Sequence, residues 1–158
     1  MDVTQEIRRF LDSKGVKYKV MYHDPTPTSE IAAKIRGTTL EQAAKALVFR
    51  SKGKFLMCVL PGNMKVELNK VRNILDEKSL SLASYEEVER ITYTKPGGVA
   101  PFGNLFDIPV YMDRHLLNQD ELVFNAGKQT VSIMMKAKDY VESVRPIVED
   151  FAYLKDKV

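Results

Sequence analysis

The sequence predicts an α+β fold built on one mixed or antiparallel sheet, and three observations carry that expectation. Short strand-like runs are mixed with helical segments of unequal spacing. Two apolar runs, Lys45 to Arg50 and Phe55 to Leu60, are joined directly by Ser51-Lys52-Gly53-Lys54. The regular strand and helix alternation of a doubly wound fold is missing. At 158 residues the chain has the length of one domain, residues 1–158, whose core needs neither disulfide nor metal.

The elements follow in order. Asp2 caps a helix over about 3–14 in which Val3, Ile7, Phe10 and Leu11 share a face, and Gly15 stops it. Val16, Tyr18 and Val20 alternate with Lys17 and Lys19 as a half-buried strand that ends in Tyr22-His23-Asp24-Pro25-Thr26-Pro27. Thr28 caps a short helix through about Arg36, and Thr39 with Gln42 forms a capping box for another brief helix. In the hairpin that follows, Gly53 permits the tight reversal. Leu56 to Leu60 lack polar alternation, so that strand is covered on both faces and Cys58 is core rather than nucleophile.

A helix starts near Asn69, Leu80 and Leu82 suit a short strand, and Ser84 with Glu87 forms the capping box of a helix through about Thr92. Strands are expected at Pro109–Asp113, Glu121–Asn125 and Thr130–Met135. A helix over Lys138–Val144 comes next, which Pro146 prevents from continuing. Residues 94–109 form a long Gly/Pro-rich connection of the kind that carries function.

Composition narrows the function. The formal charge is only +3, but residues 45–72 hold Lys45, Arg50, Lys52, Lys54, Lys65, Lys70 and Arg72 against Glu67 alone. Such a segment fits either a polyanion-facing patch or a solvated hairpin. The single Cys58 excludes an internal disulfide framework and favours a reducing cytoplasm. The opening residues lack the pattern of a signal peptide, and no apolar run reaches the roughly 18–20 residues of a membrane helix. Neither a Gly-Lys-Ser/Thr phosphate loop nor a dinucleotide fingerprint is present, and His23-Asp24 and Asp113-Arg114-His115 lack metal-ligand spacing. No metal or cofactor is expected.

Several residues are candidates for chemistry. Lys45 shares a strand face with Leu47 and Phe49, so it either borders a pocket and holds a phosphate or ester oxygen, or packs its stem while its head reaches water. Lys95-Pro96-Gly97-Gly98-Val99-Ala100-Pro101-Phe102-Gly103 can bring backbone N–H groups to an oxyanion, with Phe102 as an apolar wall, or can be an ordinary turn. His23 suits a pocket mouth or a turn, and Thr28 a helix cap that also faces a ligand. Asn125-Ala126-Gly127 presents an amide and a close-approach glycine at a strand end, while Asp113 reads as a cap for the residues after it.

Thr28-Ser29-Glu30-Ile31-Ala32-Ala33, Lys45-Ala46-Leu47-Val48-Phe49-Arg50, Gly97-Gly98-Val99-Ala100-Pro101-Phe102-Gly103 and Asn125-Ala126-Gly127, with Val59-Leu60-Pro61-Gly62 as a strand exit, stand in a telling order. Across about residues 20–143 they resemble the YbaK/prolyl-tRNA-synthetase-associated editing-domain family. The resemblance implies a mixed, largely antiparallel barrel-like sheet with surrounding short helices. It also implies hydrolysis of a small amino acid wrongly esterified to transfer RNA, often proline tRNA, by a protein acting beside the synthetase.

Lys45 matches the family's pocket lysine, and Gly97, Gly98 and Gly103 match the glycine loop beside the ester. His23, Thr28, Phe102, Asn125 and Gly127 are then expected to line the substrate site. Arg50, Lys52, Lys54, Lys65 and Lys70 would meet tRNA. The implied partners are aminoacyl-tRNA and prolyl-tRNA synthetase, with water or a substrate thiol as nucleophile. The alternative is a non-catalytic aminoacyl-tRNA or synthetase-binding module. Residues 128–135 depart from the pattern by lacking an acidic residue that many relatives place near the pocket. The Phe151-Ala152-Tyr153-Leu154 extension is expected to cover the domain or make a dimer contact, leaving a monomer or weak homodimer.

Overall fold

The computed structural model describes residues 1–155. Helix α1 (Val3–Ser13) is capped by the Asp2 carboxylate, which accepts from Gln5 N, and it buries Val3, Ile7 and Leu11. Strand β1 (Tyr18–Tyr22) starts two residues later than the periodicity suggests. Val16 is still occupied in closing the helix, its N–H donating to Leu11 O at 3.4 Å. Helix α2 (Ser29–Arg36) is capped by Thr28, whose hydroxyl accepts from Ile31 N at 3.2 Å. The Thr39 and Gln42 bonds form in both directions, but the helix expected after them does not. The chain makes one turn and enters strand β2 (Ala44–Ser51), because extended pairing with the next strand satisfies the backbone from Ala44 onward.

Strand β3 (Lys54–Pro61) returns through Lys52 and Gly53, both at positive φ, the two-residue turn whose twist matches a hairpin. Strand β4 (Met64–Val66), helix α3 (Leu68–Leu75) and strand β5 (Ser81–Leu82) follow. Both reciprocal bonds of the Ser84/Glu87 capping box are present at the start of helix α4 (Tyr85–Thr92). Strand β6 (Val110–Asp113) precedes the hairpin of β7 (Glu121–Lys128) and β8 (Val131–Lys136), then helix α5 (Ala137–Val144) and strands β9 (Ile147–Glu149) and β10 (Ala152–Leu154).

The α+β class holds, but the sheet does not close. The strands form a five-stranded sheet ordered β5-β2-β3-β6-β9, a three-stranded sheet β1-β8-β7 and the pair β10-β4. Pairings β3–β6 and β6–β9 are parallel and the others antiparallel. Where a barrel would join its two larger sheets, one isolated parallel bridge, Ala43 to Val123, links them. That seam is where the cavity described below opens.

Strand β3 is buried on both faces because it lies between two cores. Met57 and Val59 face the larger one, and Leu56, Cys58 and Leu60 the smaller. Burial pushes the Cys58 thiol up to about 12, so it stays protonated and inert. The C-terminal extension covers the smaller core through the fully buried Phe151. The buried Asp113 carboxylate fixes that extension, accepting from Phe151 N and Ala152 N on one oxygen and from His115 N and Nδ1 on the other. Asp150 lies close by, but it pairs with Arg114 and Lys70. The Asp113, His115 and Asp150 group is therefore a capping network whose oxygens are already engaged.

Candidate active site

A cavity of about 170 Å³ opens at the seam between the sheets, bounded by the start of α2, the first half of β2, the Gly97 turn and β7. Thr28, Arg36, Lys45, Gly97, Val99 and Asn125 are among its lining residues. The strand period puts Lys45 on the face that carries Leu47 and Phe49, at the end where the smaller core stops. Its stem is half-buried. Burial first, and the neighbouring Lys155 ammonium second, pull Lys45 down to about 8. It is still mostly charged at neutral pH.

Lys95-Pro96-Gly97-Gly98 forms a type II turn: Gly98 N donates to Lys95 O at 3.0 Å, proline occupies the second position, and Gly97 sits at φ 96. A Cβ on Gly97 would stand 2.8 Å from Gln129 Nε2. Closing the turn commits the Gly98 N–H, and Gly98 O accepts from Gly127 N at 3.1 Å. The N–H groups of Gly97 and Val99, by contrast, have no protein acceptor among the described residues. Gly97 and Val99 are also the two residues of the loop that line the cavity, which makes their N–H groups the loop donors available there to an oxyanion.

Asn125 ties the loop to the sheet, its Nδ2 donating to Gly97 O at 2.6 Å. Its Oδ1 accepts from Arg36 Nη2 at 2.7 Å and from the Thr26 hydroxyl at 3.3 Å. Arg36 Nε also donates to Ser132 Oγ at 2.8 Å, and burial pulls the guanidinium down to about 10. Sequence reasoning missed Arg36. The signal was there in the helical spacing of Ser29, Ala32 and Arg36, which places all three on the cavity side of α2.

The other expected residues divide. Thr28 and Asn125 line the cavity with Lys45 and Gly97, whereas His23, Gly98, Phe102, Gly103 and Gly127 do not. His23 stands behind it, its Nε2 2.7 Å from Ser132 Oγ. Phe102 is fully buried in the larger core, edge-on to Phe10, Phe124 and Tyr140, and so is no cavity wall. Gly103 starts a 3-10 turn, where a Cβ would stand 2.8 Å from Val110 Cγ2. Gly127 packs under Val3 of α1, at φ 95.

The expected tRNA cations also divide. Arg50 pairs with Glu87, Lys52 with Glu77 and Lys70 with Asp150. Lys52 in the hairpin turn and Lys54 beside it stand roughly 20 Å along the strand from Lys45 at about 3.3 Å per residue. Lys65 on β4 and Lys155 are instead close enough to Lys45 to depress it, and Lys155 also pairs with Glu30 at 3.5 Å, so three ammonium groups and one carboxylate gather beside the cavity lysine.

Residues 23–142 match the aminoacyl-tRNA editing domain. The multifunctional Ser/Thr-tRNA deacylase ProXp-y of Escherichia coli (strain K12) is 30% identical over 152 residues, which span 93% of this chain and 91% of that protein. The prolyl-tRNA editing protein ProX of Acetoanaerobium sticklandii is 24% identical over 151 residues, 92% of each chain. A solved structure described as a candidate trans-editing enzyme for prolyl-tRNA synthetase shares the fold. It has a TM-score of 0.86 at 24% identity and covers 97% of this chain and 98% of its own. With the match spanning the seam cavity and all of its lining residues, the chain belongs to the aminoacyl-tRNA editing domain family.

Proposed function

We propose that this protein is a trans-editing deacylase that hydrolyses the ester of mischarged aminoacyl-tRNA, releasing a small amino acid from a tRNA such as proline tRNA. The observation that carries this reading is that Lys45 and Gly97 line one cavity in a member of this family. The Lys45 ammonium holds the aminoacyl-adenosine end. Water attacks the ester carbonyl, the N–H groups of Gly97 and Val99 stabilise the negative charge that develops on its oxygen, and the tRNA hydroxyl leaves with a proton. Water is consumed, and the products are free amino acid and uncharged tRNA.

A cavity of about 170 Å³ has to take the ester as well as the side chain, which favours small amino acids. The names of the two relatives, a Ser/Thr-tRNA deacylase and a prolyl-tRNA editing protein, support the same class. Prolyl-tRNA synthetase is the partner this reading favours, and the cytoplasm its compartment. The net-positive group of Lys45, Lys65 and Lys155 with Glu30 suits a phosphate backbone arriving beside the cavity.

The test is a panel of mischarged tRNAs incubated with purified protein, with released amino acid measured. Release above the spontaneous rate from at least one small-residue tRNA is expected. If tRNA binds but nothing is released at high protein concentration, the deacylase reading fails and a binding module takes its place.

A further inference from the structure

Arg36 has an unusual set of partners for a partly buried cation. Among the described residues no carboxylate lies within ion-pair distance of it. Its two bonds run to neutral groups, Ser132 Oγ and Asn125 Oδ1. The second decides which way the Asn125 carboxamide faces. With Oδ1 toward the guanidinium and the Thr26 hydroxyl, Nδ2 is left to donate to Gly97 O. The flipped amide would set its NH₂ against a cation and its oxygen against a carbonyl, losing the bonds to Arg36 and to Gly97 O.

Ser132 is fully buried and accepts from Arg36 Nε. Its own hydroxyl proton has His23 Nε2 as an acceptor at 2.7 Å, and His23 Nδ1 then donates to Asp24 O at 2.8 Å. The bonds thus share one arginine, which anchors β8 on one side and the cavity turn on the other.

We propose that Arg36 is the positioning residue of the site: through Asn125 it holds the Gly97 carbonyl, and with it the cavity turn, in place opposite Lys45, while Ser132 and His23 anchor it from behind. The inference rests on the deacylase reading for its kinetic effect, but not for its structural one. A charge-assisted bond fixes the carboxamide more firmly than a neutral one. Misplacing a reacting group by about 1 Å costs roughly 100-fold in rate.

The experiment compares wild type, Arg36→Lys, Arg36→Met, Ser132→Ala, Asn125→Ala and the Arg36→Met/Asn125→Ala pair on a mischarged tRNA that wild type deacylates. Arg36→Met is expected to lower kcat about 100-fold with KM within about twofold. Arg36→Lys recovers part of that loss, because its single ammonium reaches one of the two acceptors. The double variant is no slower than the slower single one, since both changes act through the same carbonyl.

Losses that multiply in the double variant would overturn the proposal, as would a rise in KM with kcat intact, which would make Arg36 a direct substrate contact. Should Arg36→Met fail to fold, Arg36→Lys and Ser132→Ala carry the test, and unchanged kcat in both overturns it. Amide NMR of Arg36→Lys gives a readout free of turnover. The Gly97 and Gly98 resonances are expected to shift, and their staying in place would contradict the proposal even if wild type deacylated nothing, a result that separately defeats the deacylase reading.

Discussion

Lys45 is held at about 8, so between pH 6 and 9 it passes from mostly charged to mostly neutral. If its ammonium holds the substrate, kcat/KM falls as pH rises through about 8. Lys155 contributes to that depression, so Lys155→Met raises the Lys45 pKa and moves the fall to higher pH. A pH–rate profile of the two proteins checks this, and an unmoved alkaline limb would contradict it. Lys45 was legible in the sequence because strand alternation alone decides its face. Phe102 was not. Next to glycines it reads as a pocket wall, but its burial depends on rings from α1, β7 and α5 that no local pattern reveals. Phe102→Ala is accordingly expected to destabilise the fold by about 3–5 kcal/mol, measured by denaturant unfolding.

At the scale of elements, the two ends of the glycine loop do different jobs. Gly97 is at positive φ beside the tip of the flexible Gln129 side chain, whereas a Cβ on Gly103 meets Val110 Cγ2 and the Ile108 backbone oxygen inside the core. Gly103→Ala should therefore lower the melting temperature through overpacking worth about 1–3 kcal/mol. Gly97→Ala strains the backbone at φ 96 and should lower turnover as well as stability. A Gly97→Ala protein that keeps wild-type turnover would contradict this division. The capped elements were readable because Asp2, Thr28 and Ser84 advertise their bonds within three residues. Strands β4, β9 and β10, each of three residues, are too short for an alternation to register. The last two depend on Asp113, four of whose accepted bonds would be orphaned in Asp113→Ala. That variant should lose on the order of 3 kcal/mol by denaturant unfolding.

For the whole molecule, the question is how a chain of small net charge meets a polyanion. Along the sequence the segment 45–72 looks like one basic patch. In the fold its hairpin-end cations Arg50 and Lys52 meet Glu87 and Glu77, which arrive from later in the chain. Lys65 and Lys155 instead stand near Lys45, where Glu30 pairs with Lys155 and leaves the group net positive. Exposed ion pairs are worth only about 0–1 kcal/mol, so the hairpin cations are not lost to tRNA, but they stand far from the ester. Affinity for tRNA should fall as salt rises, and Lys65→Glu should weaken it more than Lys52→Glu, as filter binding over a salt series would report. Barrel closure was beyond the sequence for the same reason as the split patch: one isolated bridge at the seam replaces a ladder, and pairing partners far apart along the chain leave no local trace. The most direct test of the central claim, that a strand lysine and the Gly97 turn act on one ester, is amino acid release from mischarged tRNA by wild type, Lys45→Ala and Lys52→Ala. The expected result is a loss of about 100-fold for Lys45→Ala with Lys52→Ala within about twofold of wild type. Equal losses in the two variants, or release that does not depend on Lys45, would contradict it.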